Sequence, residues 1–146
     1  MKFLEKNLVA LDVAATSAED AIRAAGRLLV EERLVEAHYP EAMVDSYKTN
    51  GPYFVLAPQI ALPHARPEDG VNEASVSLVR LSEPVVFGNP ANDPVTLVFA
   101  LGASSSDEHL QIIQKLMKLL GDSANVEALK TVSTYEEIKL LIGGNE

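Results

Sequence analysis

The chain has 146 residues, 47% hydrophobic but only 5% aromatic, so one domain with an aliphatic, alanine-rich core can form without metals or disulfides. It holds no cysteine, which excludes disulfides, thiolate metal sites and cysteine nucleophiles and is compatible with a reducing cytoplasm. Against 21 acidic residues stand 12 basic ones, scattered along the chain, and the net charge of −9 would repel a phosphate backbone and points away from nucleic acid.

The opening stretch MKFLEKNLVALDV carries charges where a signal peptide needs an unbroken apolar run. No later segment could span a bilayer, so the expectation is a cytoplasmic protein without direct membrane insertion. Thr16-Ser17-Ala18-Glu19 reads as a capping box in which Thr16 and Glu19 satisfy each other's free amides, and it opens the first predicted helix. Ala21, Ile22, Ala25, Leu28 and Leu29 then recur at helical spacing, with Leu34 next on that face. His38 falls in the turn before a second helix and reads as a surface or capping residue. That helix is predicted from near Pro40 to about Lys48, and Asn50-Gly51-Pro52 stops it.

Beyond Gly51 the period changes. Tyr53-Phe54-Val55-Leu56 and Ile60-Ala61-Leu62 are short apolar runs bounded by Pro and Gly, as expected for buried strands. The segment from Ala74 to Leu81 alternates, with Val76, Leu78 and Arg80 on one face. Val85-Val86-Phe87 is a further strand candidate, and Pro94 to Leu101 reads as a strand buried on both faces. A loop from Gly102 leads to Ser106 or Asp107 as the cap of a helix carrying Leu110, Ile113, Leu116, Met117 and Leu120, with Gly121 ending it. Two shorter helices follow, around 123–129 and 134–142. With no repeat or linker in between, this order predicts an α/β fold, a single domain over 1–146 whose mixed β-sheet is flanked by helices on both faces.

The stretch Ile60-Ala61-Leu62-Pro63-His64-Ala65-Arg66-Pro67-Glu68-Asp69-Gly70 places an imidazole at the carboxyl end of a strand, where open α/β sheets put their ligand sites. Pro63 fixes its own φ and removes a backbone donor, which stiffens the approach to His64. Neutral imidazole is a good nucleophile near pH 7; the competing reading is a loop histidine that only hydrogen-bonds a carbonyl. His109 lies just inside a helix that starts after a buried strand, so the two histidines can share one site. The serines and free amides at that helix start would stabilise an anion there. Alternatively, His109 is a partly exposed first-turn residue. Two histidines, an anion and no cysteine favour phosphate chemistry on histidine over acyl transfer. Arg66 can either bridge phosphate oxygens or pair at the surface with Glu68 or Asp69. A metal hydrolase using His64, His109, Glu68, Asp69, Asp107 and Glu108 is a weaker alternative, because no H-E-x-x-H motif is present.

Ile60-Ala61-Leu62-Pro63-His64-Ala65 resembles the active-site motif of the IIA domains of the fructose–mannitol class (type 2) in the bacterial phosphoenolpyruvate-dependent sugar phosphotransferase system. The run from Gly51 to Pro58, continuing from Pro63 through Val71, is more narrowly similar to the ascorbate-type IIA proteins; Asn92-Asp93-Pro94-Val95 and His109 also match. The resemblance implies the type-2 IIA fold and a cytoplasmic phosphotransferase component with no cofactor and no metal. His64 would accept a phosphoryl group from the phosphohistidine of HPr and pass it to a cysteine of a IIB component, serving the membrane IIC component indirectly. His109 would orient or stabilise the phosphohistidine. Mannitol-type members carry an arginine upstream of the Pro-His motif, where Ser46, Tyr47 and Lys48 stand here, so Lys48 or Arg66 would have to replace it, or backbone amides would serve. A second implied possibility is a regulatory IIA-like module whose phosphorylation controls a partner protein.

Overall fold

The computed structural model describes residues 1–143. In chain order it runs β1 (Lys2–Phe3), β2 (Val9–Val13), α1 (Ala18–Glu31), α2 (Tyr39–Asn50), β3 (Ile60–Ala61), β4 (Ser75–Val85), β5 (Val95–Gly102), α3 (Ser106–Leu120), α4 (Ser123–Thr131) and α5 (Tyr135–Gly143). Short 3-10 turns occupy Lys6–Leu8 and Pro67–Asp69. The antiparallel pair β4–β5 forms the centre of one mixed sheet. Strand β3 runs parallel to β5, while β1 and β2 run parallel to β4 at successive heights along its other edge.

Strand β5 shows why the fold has three layers. Val98 and Ala100 face a core shared with Ala21, Ile22 and Leu29 of α1 and Met43 and Val44 of α2. Leu97, Phe99 and Leu101 face the opposite core, with Ile112, Leu116 and Leu119 of α3, Leu129 of α4 and Ile138 of α5. A period of two along one strand therefore serves two helical layers. This is the α/β architecture expected, one domain with a mixed, curled sheet and, among the described residues, five helices; the final positions of the predicted 1–146 span lie outside the described residues. Gly26 permits the close contact of the first layer, since a Cβ there would lie 2.8 Å from Met43 and 2.9 Å from Pro40. Among the described residues no helix is long and apolar enough to cross a membrane.

Several expectations change. Tyr53–Leu56 is a turn, not a strand: Phe54 and Val55 are buried, yet Val55 N–H bonds the Pro52 carbonyl and only Phe54 O accepts from Leu62. Aromatic packing with Tyr47 and Phe87 explains the apolar run without a ladder. Strand β4 ends at Val85, leaving Val86 exposed and Phe87 in that aromatic cluster. Strands β1 and β2 were not expected; they are short and separated by Leu4, at φ 47°, and a 3-10 turn. The cap of α1 is Ser17, whose hydroxyl accepts from Asp20 N–H, while Thr16 donates to the Asp20 carboxylate. Helix α3 is capped by Ser105 instead of Ser106 or Asp107. It buries Leu116 of the expected stripe together with Ile112 and Leu119 and exposes Leu110 and Met117, because the i, i+4, i+7 set centred on Leu116 fills the core.

Two polar groups hold the ends of the sheet. Arg80 is buried on the same face as Val76 and Leu78, donates to the Leu129 and Val132 carbonyls at the end of α4, and pairs with Asp12 at 3.1 Å. The Asp93 carboxylate accepts the amides of Phe87, Gly88 and Asn89 at 2.8–2.9 Å and so closes the connection between β4 and β5. The side-chain amides of Asn89 and Asn92 both donate to Val55 O, tying that connection to the turn beside His64.

Candidate functional site

Past Ala61 the chain continues alongside β5. Leu101 N–H donates to Pro63 O at 3.0 Å, and His64 lies opposite Leu101 in parallel register. His64 Nδ1 is 2.9 Å from the Leu62 carbonyl. A carbonyl only accepts, so Nδ1 carries the proton and Nε2 keeps its lone pair in the neutral ring. The carbonyl bond therefore does not exclude nucleophilic chemistry on the same imidazole: it leaves the Nε2 lone pair available. His64 is half-buried and lines an open cleft of about 830 Å³.

His109 arrives from the other side, on the first turn of α3, with its ring centroid 5.4 Å from that of His64. Burial foremost, and then the neighbouring His64, hold His109 below the usual histidine range, which favours its neutral form at pH 7. The helix start is less open to an anion than expected. Ser105 Oγ accepts from Glu108 N–H at 3.2 Å, and Glu108 Oε1 accepts from Ser104 N–H at 2.7 Å and from the Ser104 hydroxyl at 2.5 Å. The two Ser104 bonds, led by that of the hydroxyl, hold the Glu108 carboxyl below its usual range. An internal carboxylate already occupies Ser104, and the Glu108 amide occupies the Ser105 hydroxyl, two of the serines that sequence offered to a ligand, in the manner of a capping box.

Ser46, Asn50 and Tyr53 form the polar wall facing His64. The Tyr53 hydroxyl is 3.0 Å from Ser46 Oγ, Asn50 Nδ2 donates to the same oxygen at 3.3 Å, and the Tyr53 ring stands edge-on to His64 at 5.9 Å. Arg66 lines the cleft too, but its guanidinium is paired with Asp69 through Nε and Nη2, both at 3.2 Å. Asp69 Oδ2 also accepts Arg66 N–H at 2.9 Å, which closes the 3-10 turn. Of the two carboxylates considered for Arg66, Asp69 is the partner. Glu68 and Asp69 do not join the histidines as metal ligands: among the described residues no cluster of three or more His, Asp or Glu side chains could hold a metal ion.

Residues 2–143 match the family model "Phosphoenolpyruvate-dependent sugar phosphotransferase system, EIIA 2". The chain belongs to this family. An ascorbate-specific PTS system EIIA component from Salmonella choleraesuis is 36% identical over 139 residues, which cover 94% of this chain and 90% of that protein. A structure described as a PTS IIA (PtxA) from Streptococcus mutans superposes with a TM-score of 0.89 at 32% identity, over 96% of this chain and 90% of that one. The complex of enzyme IIA mannitol with phosphorylated enzyme IIB mannitol from Escherichia coli gives 0.85 at 33% identity, over 97% of this chain and 99% of the matched chain.

Within this EIIA protein, the alternatives to an upstream arginine separate by position. Lys48 is not among the residues that line the cleft, and its ammonium lies 3.9 Å from Glu19. Tyr47 turns inward, its hydroxyl 2.5 Å from Phe87 O. Of the three upstream positions only Ser46 lines the cleft, and Arg66 is the one cation among its lining residues. His38 stands exposed at the start of α2 and makes no capping bond. Its neighbour Tyr39 was not singled out from sequence, where it reads as one more residue before a helix. It is fully buried, its hydroxyl 2.7 Å from Leu101 O and 3.0 Å from Ala65 N. Burial pushes the phenol up to about 12.

Proposed function

We propose that this EIIA protein acts as a single-domain cytoplasmic phosphocarrier for carbohydrate uptake, with His64 Nε2 as the phosphoryl acceptor. HPr is the donor, an EIIB component the recipient, and L-ascorbate the carbohydrate served. The observation that carries the reading is the Nδ1–Leu62 bond, which fixes the tautomer with Nε2 unprotonated on a ring that lines the cleft and lies 5.4 Å from the His109 ring. The Nε2 lone pair forms the new P–N bond. The P–N bond to the donor breaks, and its electron pair returns to the donor's imidazole nitrogen. The Nδ1 proton remains shared with Leu62 O. Such transfer depends on in-line placement and charge stabilisation more than on covalent help.

Neutral His109 supplies a ring N–H toward the phosphoryl oxygens. Arg66 supplies the positive charge by exchanging Asp69 for phosphate; its pair is exposed and weakly held, and Asp69 keeps the Arg66 amide as a partner. The supporting relatives are an ascorbate-specific component and an enzyme IIA in complex with phosphorylated enzyme IIB.

Incubation with phosphoenolpyruvate, enzyme I and HPr is expected to label the protein in an acid-labile form, and H64A to abolish the label. Retained labelling in H64A would sink the assignment. Passage of the label to an ascorbate-type EIIB supports transport. Failure to reach any EIIB, with phosphorylation altering affinity for another protein, would favour the regulatory reading.

A further inference from the structure

In a parallel ladder a residue opposite His64 uses both its backbone groups: its N–H reaches the carbonyl before His64, and its carbonyl receives the N–H after it. Leu101 makes the first of these bonds directly, to Pro63 O at 3.0 Å. At the place of the second stands the Tyr39 hydroxyl. It accepts from Ala65 N–H at 3.0 Å and donates to Leu101 O at 2.7 Å, with Ala65 O a longer 3.5 Å away. A direct N–H···O bond holds its heavy atoms about 2.9 Å apart; two bonds in series through an oxygen hold them farther. His64 sits between the closed bond and the bridged one, so the strand leaves β5 at that residue.

We propose that Tyr39 is a positioning residue: its hydroxyl is inserted into the β3–β5 ladder and holds His64 away from the sheet, toward His109. This rests on the reading of His64 as phosphoryl acceptor. The phenol is well placed for the task. It is fully buried in the core that joins α1 and α2 to the sheet, so the ring is fixed by packing. Its single proton goes to Leu101 O and its oxygen receives Ala65 N–H, so the role uses both capacities of the hydroxyl.

The variant Y39F removes the oxygen and keeps the ring. Ala65 N–H can then meet Leu101 O directly, leaving neither group unpaired, and His64 moves toward β5. Scalar coupling across the hydrogen bond, between Ala65 15N and Leu101 13C′, is expected to be absent in the wild type and present in Y39F. The maximal rate of phosphoryl acceptance from phospho-HPr should fall roughly 10- to 100-fold, as for a reacting group misplaced by a fraction of a bond length to 1 Å, while KM is unchanged. V44A, in the same helix and core, is the stability control: it should lower the melting temperature and keep the wild-type maximal rate well below it.

Wild-type kinetics in Y39F would overturn the proposal, as would a rate loss no larger than that of V44A at an equal melting temperature drop. Direct coupling in the wild type would overturn it as well. So would an unfolded Y39F, since the closed ladder pairs both groups. If the wild type itself takes no label, the functional reading fails, and the coupling alone decides whether the hydroxyl is inserted.

Discussion

His64 is held by backbone, whereas His109 rides on a helix turn held by side chains. The segment around His64 is pinned through Pro63 O to Leu101, through Ala65 N–H to Tyr39, and through its own Nδ1 to Leu62 O. Around His109, Ser104, Ser105 and Glu108 cap the helix with one another, and burial alone sets the ring's preference for neutrality before His64 adds to it. The difference assigns unequal tasks. Under the proposed function, a ring with one nitrogen committed would present Nε2 alone as the nucleophile, while a neutral ring on a capped turn would tune its hydrogen bond as charge arrives.

The comparison can be broken at several strengths. Loss of His64 is expected to be absolute. H109A should still accept label, about 10- to 100-fold more slowly, because a hydrogen bond to a charged group contributes about 1.5–3 kcal/mol; rates equal to wild type in single-turnover transfer would remove His109 from the site. S105A should cost about 1 kcal/mol of stability through the lost cap of α3, measured as a shift in urea midpoint, with transfer reduced less than in H109A.

The smallest effect is on pH dependence. Folding lowers the His109 pKa, so the unfolded chain binds its proton more readily, and the stabilisation is present above about pH 6.5 and lost as pH falls through the lower folded value. Between pH 7.5 and 5.5 the wild type should lose more stability than H109A. Parallel curves would show that burial of this ring is not coupled to folding.

Much of this was legible in the chain because simple rules govern it. Strand ends and helix starts bring His64 and His109 together, and the apolar run 94–101 announces the two-faced centre. Other features need tertiary context. The apolar run 53–56 buries its side chains against Tyr47 and Phe87 without forming a ladder, so periodicity misread it. Strands β1 and β2 are too short and irregular for alternation to register. Glu108, which fills the helix start, is one of many first-turn acids by sequence. Tyr39 is 62 residues from the carbonyl it bonds, and no local pattern signals that contact.

The central claim is the committed tautomer. Long-range 1H–15N correlation of the phosphorylated, 15N-histidine-labelled protein reads it directly. The expected result is 31P coupling to Nε2 of His64 with Nδ1 still protonated; phosphorylation at Nδ1, or on another residue, would contradict it.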